Sequence, residues 1–194
     1  CVESEKKARE VANLSKQVYV SPYNDPYVIA GQGTIGFEIK DQCDGLDVII
    51  ISVGGGGLIG GTASYLKSAW PDLHVIGCSP INSAVMIHSI NKGKILDLES
   101  KPTLSDGTAG GVEKDSITFP ICKDNIDETV LVSETEIKNA MISFIENERL
   151  LLEGAAGTAV ATLIKMKDKL KGKRVGVVIC GGNISLDVIK NILN

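Results

Sequence analysis

Four consecutive glycines, Gly54 to Gly57, follow the apolar run Val48-Ile49-Ile50-Ile51-Ser52-Val53 and lead into a helix-like segment that begins Leu58-Ile59. Residues without a Cβ let several amides turn toward one point and let a ligand approach the backbone closely. The amino end of a following helix adds free N–H groups and a positive dipole end, which suit an anion, a phosphate above all. The pattern points to a phosphate cradle. A flexible linker would be flanked by polar or low-complexity sequence, whereas a buried-strand pattern and an apolar helix flank these glycines. A nicotinamide or flavin dinucleotide site stays open as a rival, because Gly55, Gly57 and Gly60 satisfy G-x-G-x-x-G. That fingerprint also asks for an acidic residue about 20 positions on, to hold a ribose. The next strand, 74–78, runs into Ser79 instead.

The elements that must position this loop follow from hydrophobic periodicity. Residues 2–17 read as a charged helix whose apolar positions include Val11, Ala12 and Leu14, 18–22 as a short strand, and Tyr23-Asn24-Asp25-Pro26 as a turn. A helix is expected over 28–39 despite Gly31, Gly33 and Gly36. Each costs about 1 kcal/mol of helix stability, so they imply close packing or ligand approach. Strand 46–53, helix 58–69 and strand 74–78 make a β-α-β unit. A helix near 82–91, a turn-rich loop at 101–111 and a strand at 129–132 come next. Ser133-Glu134-Thr135-Glu136 is a capping box that opens a helix with Ile137, Ala140, Met141, Phe144 and Ile145 on one face. A small-residue helix over 154–167, strand 174–180 and helix 184–193 close the chain. Alternating helices and continuously apolar strands imply an α/β fold: a doubly wound, mostly parallel sheet with helices on both faces. Ligands in such sheets sit beyond the carboxyl ends of the strands. Cys180-Gly181-Gly182-Asn183 occupies one such end and Gly54–Gly57 another, so one shared pocket is expected.

The 194 residues allow one sizeable core. With 43% hydrophobic and 23% charged residues, the composition is that of an ordinary globular protein. A net charge of −4 argues against nucleic acid or an anionic membrane as partner. No apolar run approaches the roughly 18 residues of a membrane span, and the first residues lack the apolar core of a signal peptide. Five cysteines at 1, 43, 78, 122 and 180, with no C-x-x-C pair, suit a reduced cytoplasmic setting better than disulfides or zinc. A start at Cys1 rather than Met suggests processing or a piece of something longer. Asp106 reads as a turn residue, and His74 and His88 as packing or surface residues.

Taken together, five strings resemble the fold type II pyridoxal-phosphate enzymes, specifically the serine/threonine dehydratase (ammonia-lyase) and serine racemase group. They are Pro-Tyr-Asn-Asp-Pro-Tyr-Val-Ile-Ala-Gly-Gln-Gly-Thr-Ile-Gly-Phe-Glu at 22–38, Val-Gly-Gly-Gly-Gly-Leu-Ile at 53–59, Ser-Asp-Gly-Thr-Ala at 105–109, Glu-Gly-Ala-Ala-Gly at 153–157 and Cys-Gly-Gly-Asn at 180–183. The resemblance covers nearly the whole chain. It implies that the amides of Gly54, Gly55, Gly56, Gly57 and Leu58 bind the 5′-phosphate of pyridoxal phosphate. It also sets Gly107 beside the pyridine ring, Glu153 near that ring and Cys180 facing the ring nitrogen. A neutral thiol there does not hold the nitrogen protonated as a carboxylate would.

The same resemblance marks what the chain lacks. The family's Schiff-base lysine lies in a Ser-x-Lys-x-Arg-Gly-like segment that this sequence does not contain, so no catalytic residue is assigned here. The asparagine loop that contacts the cofactor's 3′-oxygen is also missing. By the family's order, residues 1–17 look like a remnant of the smaller domain and 18–194 like an incomplete larger, cofactor-binding domain. The chain is expected to be the inactive C-terminal part of a longer enzyme, exposing apolar surface where the missing N-terminal segment would pack. The complete enzyme is expected to be a homodimer. Racemase-like members bind a divalent ion through carboxylates where Ser79 and Val85 stand, so no metal site is expected. The implied activity is loss of water from threonine or serine to give a 2-oxo acid and ammonia. An amino-acid racemase and a non-catalytic ligand-binding piece remain as alternatives.

Overall fold

The computed structural model describes residues 2–193; Cys1, counted above among the cysteines, lies outside them. Helix α1 (Val2–Ser15) and α2 (Pro26–Gln42) precede β1 (Val48–Ser52), α3 (Gly57–Ala69), β2 (His74–Pro80) and α4 (Val85–Lys92). A single 3-10 turn at Asp106–Thr108 leads to α5 (Thr118–Asn125), β3 (Glu128–Val132), α6 (Glu134–Glu148), α7 (Gly154–Lys165), β4 (Val175–Val177) and α8 (Leu186–Leu193). The four strands form one sheet in the order β3-β2-β1-β4, parallel throughout. Register runs from Val48 opposite His74 to Ser52 opposite Cys78, and from Val48 opposite Val175 to Ile50 opposite Val177.

Strand alternation divides the core in two. Ile49, Ile51, Val53 and Val75 pack with Ile59, Ala63 and Leu66 of α3, Met86 of α4 and Cys122 of α5. Val48, Ile50, Ile76 and Cys78 face the other way, onto Ala159 of α7 and Leu170. Central strands covered on both faces must be apolar at every position, and β1 is buried along its whole length. The small residues of α7 let it lie against the sheet. Beyond it, α6 packs Ile137, Ala140 and Met141 onto Ala156 and Val160, with Phe144 and Ile145 partly buried against the same cluster. The capping box forms as read: the Glu136 amide donates to Ser133 Oγ, and the Ser133 amide donates to the Glu136 carboxylate.

Helix α2 meets α3 backbone to backbone. A Cβ on Gly61 would sit 2.0 Å from the Ile29 carbonyl oxygen, and one on Gly36 would sit 2.9 Å from the Thr62 oxygen. Thr62 Oγ1 donates across the same seam to the Gln32 carbonyl. Gly33 and Gly36 thus serve close packing as expected, whereas Gly31 has no atom within 4 Å of its Cβ position.

Several expectations need correcting. Residues 18–22 are not a strand: their β-branched side chains favour extended backbone, but among the described residues no sheet edge pairs with them. Strand 174–180 contracts to Val175–Val177, because the chain leaves β1 before the glycines at 181 and 182. Helix α5 is an element the sequence pattern does not announce, its short apolar run being interrupted by Pro120 in the first turn. Leu150, Leu151, Ile179 and Leu186 are exposed. No helix among the described residues is long and apolar enough to cross a membrane.

Candidate active site

The loop from Gly54 to Gly57 leaves the carboxyl end of β1 and turns into α3 through Gly56, whose φ of 91° lies in the left-handed region. No L side chain adopts that conformation readily, which is why glycine stands there. The first helical bond to reach the loop runs from the Gly60 amide to the Gly56 carbonyl at 2.9 Å. The amides of Gly54, Gly55, Gly56, Gly57, Leu58 and Ile59 meet no acceptor among the described residues. Gly56, Gly57 and Ile59 are buried as well. A buried N–H without a partner is rare and costly, and a helix start leaves its orphan donors to caps, water or ligands. Six consecutive donors at the positive end of α3 fit a phosphate, with its several acceptor oxygens and its charge.

Three side chains that sequence reading passed over hold this loop from outside. The Tyr23 ring lies against Gly55, where a Cβ would come within 2.3 Å of it. Its hydroxyl accepts from the Glu113 amide at 3.0 Å. Burial pushes the Tyr23 phenol up to about 12, so it stays neutral. Thr118 Oγ1 donates to the Gly55 carbonyl at 2.6 Å, and the Cys122 thiol faces the Gly56 carbonyl at 3.5 Å. Burial raises Cys122 to about 12, which keeps it a thiol. Asn24 joins the two supporting stretches: its side-chain amide donates to Glu113, and its Oδ1 accepts from the Ile117 amide. Tyr23 and Asn24 stand in the Tyr-Asn-Asp-Pro turn, but nothing in that turn tells which loop it touches.

The remaining candidates form a chain of contacts leading away from the same loop. A Cβ on Gly54 would lie 2.9 Å from Thr108 Cα, which sets the 105–109 turn beside the loop. Asp106 is the expected turn residue, its Oδ1 accepting from the Gly107 amide at 2.8 Å. Gly107 faces Ala155 and Glu153, at 3.7 and 4.0 Å from its Cβ position. Glu153 precedes α7 without capping it through its side chain. Its Oε1 instead accepts from the Asn183 amide at 2.8 Å, while its own amide donates to the Gly181 carbonyl at 2.9 Å. Cys180 Sγ lies 3.5 Å from Ser52 Oγ, at the end of β1. Burial raises the Cys180 thiol above its ordinary pKa and the Glu153 carboxylate raises it further, against the opposing effect of Ser52.

Other positions behave as ordinary structure. His74 pairs with Glu128 at 3.1 Å, Ser79 Oγ donates to the Val53 carbonyl at 2.7 Å, and Val85 is buried in the core. A groove of about 720 Å³ between α1 and residues 17–20 is lined by Val11, Ala12, Val18 and Tyr19 among others and contains none of these candidates.

A family model described as pyridoxal-phosphate dependent enzyme matches residues 2–181. The chain is 41% identical over 192 residues to an L-threonine ammonia-lyase of Thermotoga maritima, covering 99% of this chain and 47% of that protein. It is 40% identical over 179 residues to a serine racemase of Dictyostelium discoideum, covering 90% of this chain and 55% of the relative. Among solved structures, the processed form of threonine deaminase isoform 2 from Solanum lycopersicum aligns with a TM-score of 0.88 at 31% identity, over 96% of this chain and 55% of that one. The chain spans about half the length of the curated relatives it matches.

Proposed function

Because the chain belongs to the family of pyridoxal-phosphate dependent enzymes, we propose that it forms the phosphate-holding and ring-holding part of an ammonia-lyase. That enzyme would convert L-threonine or L-serine to a 2-oxo acid and ammonia. The observation that carries the reading is the run of unpartnered amides from Gly54 to Ile59 at the start of α3. These donors, with Leu58 among them, would hold the 5′-phosphate. Gly107 would lend backbone rather than side chain beside the pyridine ring, with Glu153 close by. The Cys180 thiol, neutral at pH 7 because its pKa is raised, would face the ring nitrogen without adding negative charge there. When bound, the cofactor supplies the electron sink that lets bonds at the substrate's α-carbon break.

The chain's own part in this chemistry is orientation and charge control. Amides fixed before the phosphate arrives need no reorganisation at the moment of binding. A side-chain acceptor of the α-proton is not assigned to any residue here. The sequence has no Ser-x-Lys-x-Arg-Gly-like segment, and among the described residues no lysine hydrogen-bonds with Glu153, Cys180 or the glycine loop. This chain by itself is therefore proposed to be inactive.

An amino-acid racemase is the second reading, favoured by the similarity to the Dictyostelium serine racemase. Against it, the Ser79 hydroxyl is committed to the Val53 carbonyl and Val85 is apolar. Neither offers the oxygen ligands a hard divalent cation needs. The deciding assay takes the whole protein carrying this sequence, with pyridoxal phosphate and L-threonine or L-serine. Formation of 2-oxo acid and ammonia in equal amounts is expected. A product that is mainly the D-amino acid would overturn the lyase reading in favour of the racemase.

A further inference from the structure

We propose that Thr118 is a positioning residue of the phosphate seat: its hydroxyl fixes the Gly55–Gly56 peptide so that the Gly56 N–H is aimed at the bound phosphate. The inference rests on reading Gly54–Leu58 as that seat. In a trans peptide the carbonyl oxygen and the amide hydrogen point to opposite sides of the chain. Whatever holds the Gly55 carbonyl from behind therefore sets the direction of the Gly56 N–H in front. Thr118 Oγ1 does so at 2.6 Å. With the Thr118 proton committed to that bond, the 2.6 Å contact between the Ser116 and Thr118 hydroxyls runs from Ser116 as donor to Thr118 as acceptor.

Two hydroxyls in series thus end on one peptide group. Thr118 is 0% and Ser116 4% exposed, so water does not compete for either bond. Linked hydrogen bonds polarise one another where the surroundings are of low dielectric. A polarised Gly55–Gly56 peptide is a stronger donor at its N–H. Gly56, at φ 91°, has no side chain with which to hold its own peptide. The next peptide is secured differently, its carbonyl accepting from the Gly60 amide at 2.9 Å with the Cys122 thiol farther off. Thr118 stands at the start of α5, yet its hydroxyl is turned to the glycine loop.

The test is an NMR titration of the 15N-labelled chain with pyridoxine 5′-phosphate, which carries the phosphate but no aldehyde to react with lysines, and in parallel with inorganic phosphate. Saturable shifts of the Gly54–Leu58 amides are expected in the unaltered chain. Thr118→Val keeps the shape and removes the hydroxyl; affinity should fall about tenfold, with the Gly56 amide shift reduced most. Thr118→Ser should restore both. A Thr118→Val chain that binds as tightly, with an unchanged Gly56 shift, would overturn the inference and leave the phosphate reading standing. So would a loss that Thr118→Ser fails to repair, which marks a packing role. No shift at 54–58 with either probe in the unaltered chain would overturn the phosphate reading itself. Should Thr118→Val not fold, Ser116→Ala tests the same hydroxyl chain. An affinity loss of about threefold is expected from it, and unchanged binding would count against the inference.

Discussion

The two glycine-rich loops at the strand ends look alike in sequence and are built differently. The Gly54–Gly57 loop is wedged between Tyr23, Thr108, Thr118 and Cys122, with backbone or ring atoms against three of its four glycines. The Cys180–Asn183 loop follows a three-residue strand, lies largely in solvent, and is tied to the rest chiefly through Glu153. Glycine serves opposite purposes in the two places. In the first it admits neighbours that are already fixed, so rigidity comes from packing. In the second, Gly181 leaves room for a carboxylate at the end of a flexible side chain while Gly182 lies against the Leu151 carbonyl, and rigidity rests mainly on two hydrogen bonds to Glu153.

Alanine at matched positions gives the sharpest way to break the comparison. Gly56→Ala combines a left-handed backbone with a Cβ 2.6 Å from the Cys122 sulfur. A loss of about 3 kcal/mol in unfolding free energy is expected, along with pyridoxine 5′-phosphate binding. Gly181→Ala places its Cβ 2.8 Å from the Glu153 carboxyl, which can swing aside, and should cost about 1 kcal/mol or less. Urea unfolding of both variants decides; equal losses would erase the distinction. Next in size, Glu153→Ala leaves the Asn183 amide without its acceptor. It should lower stability by about 1 kcal/mol and speed hydrogen exchange at Asn183, with Gly56 unaffected.

Two smaller effects are read through pH. Behind the first loop, burial raises the Cys122 thiol from 9.0 to about 12, and it raises Cys78 from 9.0 to about 12 under the sheet. Between those values the folded chain keeps protons that the unfolded chain has released. The resulting stability is complete below about pH 9 and declines as pH rises toward 12. Urea midpoints should therefore fall steadily above pH 9, and Cys122→Ala should flatten that slope. In the second loop Cys180 is exposed but also raised, by burial first and by Glu153 second. Glu153→Gln removes the second cause, lowers the thiol pKa, and should modestly accelerate Cys180 alkylation by iodoacetamide at pH 8. An unchanged rate would detach Glu153 from Cys180.

What could be read from the chain alone follows the same divide. The β1–loop–α3 unit was legible because a β-branched run, four glycines and an apolar helix each state one local requirement. The capping box at Ser133 and Glu136 was legible for the same reason. Tyr23, Thr118 and Cys122 were not, since their roles arise from contacts across 32 to 66 positions of sequence that no local pattern encodes. Residues 18–22 have strand-like side chains but no partner strand among the described residues, and partnership is not written in a segment. Helix α5 is short, starts beside a proline, and is held by its neighbours more than by its own propensity.

The seam between α2 and α3 has a mechanical consequence. Two helices that meet at carbonyls and bare α-carbons, with the Thr62 hydroxyl bonded across to the Gln32 carbonyl, leave few rotamers to rearrange at their closest approach, so α3 cannot roll or slide far against α2 without collision. Its amino tip is in effect a fixed nozzle whose aim is the same empty or loaded. Ligand capture there should proceed as lock and key, with backbone order parameters along α3 nearly identical before and after saturation.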